Sequence, residues 1–163
     1  MTAVTMYYLE MLAANQLNES APVADLTITE ANIKEYRLNR FLYTLIGETW
    51  QWQDKLTDTD ATWKAYAERD NLRTWLAYVD GAIAGYFELE ISTEQEVEIK
   101  YFGLAPGFIG KGLGGYLLTY AIKQAWQTCQ AKRVCVNTCS LDHPSALGNY
   151  KARGFQLYKQ VLE

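Results

Sequence analysis

The spacing of apolar positions switches along the chain between a strand-like and a helix-like repeat. Residues 5–11, rich in Tyr and Leu, predict a first strand. The polar stretch 13–25 contains a proline and reads as a loop, and Leu26-Thr27-Ile28-Thr29 as a short second strand. Thr29 or Asn32 can then cap a helix that runs to Ile46, with Tyr36, Phe41, Leu42 and Leu45 on one side and Gly47 as terminator. After a polar connection over 51–59, the cluster Asp58-Thr59-Asp60 supplies an N-cap for a second helix through Arg69.

The repeat then becomes strand-like. Residues 74–79 and 82–91 are two strands joined by Asp80-Gly81, a strong short hairpin signal, and 96–104 is the third strand of an antiparallel meander. Residues 113–128 return to helical spacing, with Leu117, Leu118, Ala121, Ile122 and Ala125 as an apolar stripe. A strand over 133–139, a short helix over 144–153 stopped by Gly154, and a last strand over 155–162 follow. No repeat, low-complexity tract or linker interrupts the chain. The pattern predicts one α/β domain over 1–163, a mixed α+β fold with a central, mostly antiparallel mixed sheet flanked by helices.

Composition narrows the function classes. With 15 basic and 19 acidic residues the net charge is −4, and no block of like charge is present. A concentrated basic face for nucleic acid or a membrane surface is therefore not expected. Cys129, Cys135 and Cys139 form no CxxC pair, and one histidine offers no ligand cluster, so no metal site is expected. The first residues lack the basic and apolar segments of a signal peptide, and no apolar run has membrane-spanning length, which points to the cytoplasm.

The chemistry is concentrated at Gly107-Phe108-Ile109-Gly110-Lys111-Gly112-Leu113-Gly114-Gly115, where five glycines fall within nine residues at the start of a helix. Backbone N–H groups there have no intrahelical partner and sit at the positive end of the helix dipole, so an anion, a phosphate above all, is the natural occupant. A Walker loop needs Ser or Thr after Gly-Lys, and here Gly112 follows Lys111. Residues 110–115 also match GxGxxG literally. That match lies past a hairpin meander, with no acidic residue at the expected distance beyond it.

Taken with the strand before it and the later segment Ala146-Leu147-Gly148-Asn149-Tyr150-Lys151-Ala152-Arg153-Gly154-Phe155, the loop resembles the GNAT superfamily of N-acetyltransferases. The likeness covers residues 26–161. The loop fits the family's Gly-x-Gly/Ala at Gly112 and Gly114, with Lys111 at its common basic position, while Ile109 stands where Gln or Arg is usual. The late segment fits Ala-x-x-x-Tyr-x-x-x-Gly-Phe, and His143 stands where Asn is frequent.

The resemblance implies a GNAT-like fold, acetyl-CoA as co-substrate and no metal. It implies that the N–H groups of Gly110, Lys111, Gly112, Leu113 and Gly114 hold the pyrophosphate, that the Leu104 N–H polarises the thioester carbonyl, and that His143 contacts the CoA edge or caps the short helix. Glu98 would act as general base and Tyr150 as general acid toward the leaving thiolate. Strand alternation places Glu96, Glu98 and Lys100 on one face and Val97, Ile99 and Tyr101 on the other. The acceptor region would include Tyr43, Trp50 and Trp52, an aromatic surface with carboxylates nearby that suits a primary amine of a small molecule or peptide. The competing reading is a non-catalytic acyl-CoA sensor or partner-binding module on the same fold. The first strand either completes the sheet or pairs with another chain in a homodimer.

Overall fold

Asp80 and Gly81 both lie in the left-handed region, with φ of 50° and 83°, as a two-residue type I′ turn requires. They join β3 (Leu72–Val79) to β4 (Ala82–Ile91), and β5 (Glu96–Leu104) completes the meander. The computed structural model describes residues 3–50 and 52–163. Before the meander come β1 (Thr5–Met11), β2 (Thr27–Glu30), α1 (Tyr36–Gly47) and α2 (Asp60–Ala67). After it come α3 (Gly114–Lys123), β6 (Arg133–Cys139), α4 (Ala146–Ala152) and β7 (Gln156–Leu162).

Among the described residues the seven strands form one sheet in the order β2-β3-β4-β5-β6-β1-β7. Only β5 and β6 run parallel, linked by α3 as the crossover; every other pair is antiparallel. β1 is inserted between β6 and β7 and pairs with both, so the first strand completes the sheet within its own chain.

Two cores result. On one face α3 and α4 pack through Leu117, Leu118, Ala121, Ile122 and Tyr150 onto Leu9, Met11, Phe87, Leu89, Val97, Ile99 and Val136. On the other face α1 and α2 cover β3–β5, with Leu42 and Ile46 on Leu76 and Tyr86, and Tyr36, Tyr43, Trp63 and Ala67 as a second cluster.

Two local expectations change. α1 starts at Tyr36 rather than after Thr29 or Asn32, and its N-cap position, Glu35, makes no side-chain cap bond. Thr29 is held in β2 opposite Leu76, and the Tyr36 N–H instead donates to Glu68 Oε2 just beyond α2 (3.1 Å), so tertiary packing supplies the missing acceptor. α2, by contrast, is capped by Thr59, whose hydroxyl accepts from the Thr62 N–H. The second change is a bulge at Lys100: Glu88 pairs with Tyr101 and Leu89 with Ile99, leaving Lys100 extra. Beyond it the faces exchange. Tyr101 joins the α1–α2 side and Phe102 the α3–α4 side, against the simple alternation. α3 continues into a π turn, Gln124–Thr128.

Gly154 adopts φ +110°, and a Cβ there would stand 2.0 Å from the Gln16 carbonyl oxygen. Gly154→Ala should therefore destabilise the protein by at least about 2 kcal/mol, a Tm loss of roughly 4–8 °C. Gly81→Ala, with open space around its Cβ, should cost about half as much, from the backbone alone. Thermal unfolding of the two variants side by side checks the difference.

Candidate functional site

β5 and β6 stay paired only from Glu96–Arg133 to Ile99–Val136. Beyond that point β5 follows β4 to Leu104, while β6 follows β1 to Cys139. The sheet splits, and the split opens a cleft of about 570 Å³ lined by Trp50, Phe102–Leu104, the glycine loop and one side of α4. The Ala105 N–H donates to the Ala84 carbonyl (2.7 Å). Antiparallel bonding alternates, so the Leu104 N–H turns away from β4 toward the side that β6 has left.

The glycine loop forms one wall. Gly110 and Gly112 are left-handed, with φ of 81° and 77°, and a Cβ at either would meet nothing within 4 Å. α3 starts behind them at Gly114 with Leu113 as N-cap, and no side chain caps its first turn. Left-handed residues flanking Lys111 turn successive N–H groups to one side, the concavity that suits an anion. The Lys111 ammonium lies 5.9 Å from the Phe108 ring centroid and its side chain is exposed.

α4 forms the opposite wall. Tyr150 is 4% exposed, with its ring between Phe102 and Phe155 at centroid distances of 6.2 and 6.0 Å. Burial, helped by the Asp142 charge, pushes its phenol well above the usual range, which keeps it protonated. His143 Nδ1 accepts from the Ser145 N–H (2.9 Å), which leaves the ring proton on Nε2, and the ring packs against Trp50 at 4.9 Å. Asp142 does not cap α4; it accepts from Thr138 and from the His143 N–H.

Glu98 lies outside the cleft lining, on β5 below the split, 29% exposed and 3.7 Å from the Lys100 ammonium. Burial raises its pKa, partly offset by Lys100. Among the three aromatic residues expected at the acceptor, Trp50 lines the cleft. Trp52 is half-buried on Tyr43 and Tyr101. Tyr43 is a core residue instead: it is 2% exposed, and its hydroxyl accepts from the Lys55 N–H.

The sequence reading passed over three residues. Asn149 donates to the Gly114 carbonyl (3.2 Å) and ties α4 to the loop. Arg153 Nη1 lies 2.6 Å from the position a Cβ on Gly115 would take, which puts a cation at the start of α3. Glu88 is 1% exposed under α1 and α2, and accepts from Tyr66 (2.5 Å) and Asn39 (2.8 Å). Burial raises its pKa, while the hydrogen bonds from Tyr66 and Asn39, and after them the charges of Lys55 and Arg69, act against that. Asn149 carried a signal, one position before the motif tyrosine; Glu88 carried none beyond its acidity in a buried strand.

Among the described residues no group of His, Cys, Asp and Glu is placed to hold a metal, the three cysteines are free, and no helix is long and apolar enough to cross a membrane.

The sequence profile of the acetyltransferase (GNAT) family matches residues 36–155. No curated protein matches the chain. Among solved structures it resembles a GCN5-related N-acetyltransferase from Kribbella flavida, with TM-score 0.70 and 14% identity over 97% of this chain and 56% of that one. It also resembles a GCN5-related N-acetyltransferase from Sphaerobacter thermophilus, with TM-score 0.73 and 12% identity over 98% and 50%. The chain thus spans about half the length of these two relatives. An aminoglycoside acetyltransferase from an uncultured soil metagenomic sample, solved with trehalose, is nearer in size: TM-score 0.65, 17% identity, 85% of this chain and 93% of that one. These likenesses establish a shared fold, and the profile match over most of the chain shows that the protein belongs to the GNAT acetyltransferase family.

Proposed function

We propose that the protein transfers an acetyl group from acetyl-CoA to a primary amine of a small molecule or peptide. The observation that carries this reading is the junction of the β5–β6 split with the two left-handed glycines, which sets a cleft of about 570 Å³ beside the loop amides at the start of α3. The amides of Gly110–Gly114 hold the pyrophosphate, and the Leu104 N–H, turned into the split, stabilises the oxyanion that forms when the amine attacks the thioester carbon. A donor of this kind contributes about 2.7–4 kcal/mol to the transition state. When the C–S bond breaks, the thiolate takes the Tyr150 proton, the second proton shed by the acylated nitrogen returns through water to the Tyr150 phenolate, and amide and free CoA result.

A primary amine with pKa near ~10 is mostly charged at neutral pH, so its proton must leave. Glu98 receives it through water, since its carboxylate stands outside the cleft. A base works only when unprotonated, and burial raises the Glu98 pKa. Hence kcat/KM should climb as pH rises through that raised value. Glu98→Gln should remove this limb and lower kcat about tenfold, below the usual contribution of a directly placed base. A pH profile that keeps its shape in Glu98→Gln would assign the base elsewhere. The free cysteines fit a reducing cytoplasm.

Calorimetric titration with acetyl-CoA, ATP and NAD tests the donor site. Binding of acetyl-CoA near one per chain, with no response to the other two, is expected; its absence would remove the proposal. An amine screen by thiol release then reads transfer.

A further inference from the structure

On the α1–α2 face the ammonium of Lys55 stands in a box of aromatic rings. Its Nζ lies 4.7 Å from the Trp63 ring centroid, 4.0 Å from that of Tyr66 and 3.0 Å from Asp58 Oδ2, and its side chain is only 13% exposed. Tyr43 and Tyr101 close the cluster, with Tyr43 5.5 Å from Trp63 and 5.2 Å from Tyr101. The buried Glu88 carboxylate is fixed beneath by Tyr66 and Asn39. Beside it the Tyr86 hydroxyl is fully buried and has no hydrogen-bond partner among the described residues.

Lysine is rarely buried, and ordering its stem costs side-chain entropy. Here the ring faces and carboxylates replace the hydration of the ammonium. The segment that carries Lys55, residues 52–59, contains no helix or strand, so the cation is tethered by turns alone.

This box shares a wall with the cleft. Trp52 packs on Tyr101 at 5.2 Å, and its ring lies 3.7 Å from the position a Cβ on Gly103 would take, while Gly103 itself lines the cleft. The nitrogen that attacks a thioester must be uncharged. A site built from ring faces and a buried carboxylate retains a charged one, so the nitrogen held here is not the reacting nitrogen.

We propose that the Trp63–Tyr66–Glu88 box is a subsite for the second, cationic nitrogen of a diamine-type acceptor, and that Lys55 is its built-in competitor. The proposal rests on the acetyl-transfer reading for its acceptor half. Lys55 fills the box when no acceptor is bound, and an alkylammonium at the far end of the acceptor displaces it as the 52–59 turns move outward. The Tyr86 hydroxyl gains a partner when the incoming group brings water or a polar atom into the box.

The first test needs no turnover. Lys55→Ala is titrated with n-propylammonium, which replaces the atoms removed, and with n-propanol. Propylammonium should change tryptophan emission and raise Tm where propanol does neither; equal responses would overturn the cation site. The second test compares 1,4-diaminobutane with n-butylamine at saturating acetyl-CoA. Lys55→Met, which keeps the stem and removes the charge, should lower the KM for the diamine about tenfold relative to the monoamine. An unchanged ratio overturns the acceptor role, and Lys55→Met decides it even where Lys55→Ala does not fold. Absence of turnover with every amine in every variant also removes that role. A positive propylammonium response would then trace the loss to the transfer reading and not to the box.

Discussion

Gly112→Val should lower acetyl-CoA affinity at least about 100-fold while shifting Tm by only a few degrees. At φ +77° a β-branched residue costs at least about 1–2 kcal/mol in backbone strain. If the loop keeps its shape, the new side chain stands in the open space where the pyrophosphate would lie, since a Cβ at Gly112 meets nothing within 4 Å. If the loop relaxes, the amides of Lys111 and Leu113 turn away and the cradle is lost. Either route weakens binding, and neither disturbs packing, because Gly112 supports no neighbour. Lys111→Ala should cost about tenfold or less, because its ammonium is exposed beside Phe108. Calorimetry on both variants checks the order. Undiminished binding by Gly112→Val would mean that the loop is not the phosphate site.

Where structure is written in local chemistry, the sequence was a good guide. The Asp80-Gly81 turn, the three meander strands and the Thr59 cap depend on adjacent residues, and they lie where pattern and turn rules put them. The family motifs extended that reach to the loop and α4, because glycines at φ +81° and +77° leave a direct mark on sequence. What was illegible depends on partners distant in the chain. The start of α1 is decided by Glu68, 32 residues beyond Tyr36. The Lys100 bulge is a property of the β4–β5 pair, and it moves Tyr101 to the face opposite the one alternation assigns. Tyr43 reads as a candidate acceptor contact from composition, yet Trp52, Trp63 and Tyr101 enclose it. Glu88 shows the same limit: burying a carboxylate needs donors, and they come from α1 and α2. Neither helix marks those donors in its own sequence.

Tyr150→Phe should lower kcat about 100-fold and leave acetyl-CoA affinity within about twofold. The phenol ring packs between Phe102 and Phe155, and phenylalanine keeps those contacts. The hydroxyl accounts for little of the fold, since no hydrogen bond to it is formed among the described residues, so its removal leaves no stranded partner. Its effect should therefore fall on the step in which charge reaches sulfur. Burial and Asp142 hold the phenol protonated far above neutral pH, so it remains a donor throughout the working range. A positioned acid contributes typically ~10²–10⁴-fold, and a thiolate, already a fair leaving group, places the expected loss at the lower end. The same argument gives a pH signature. Because Tyr150 does not ionise in that range, the variant should lose rate equally at all pH values and keep the ascending limb assigned to Glu98. Single-turnover thiol release with Tyr150→Phe and Glu98→Gln separates the two roles. A variant that retains full kcat would make Tyr150 a packing residue of the cleft wall, and the proton for the leaving thiolate would then have to come from solvent.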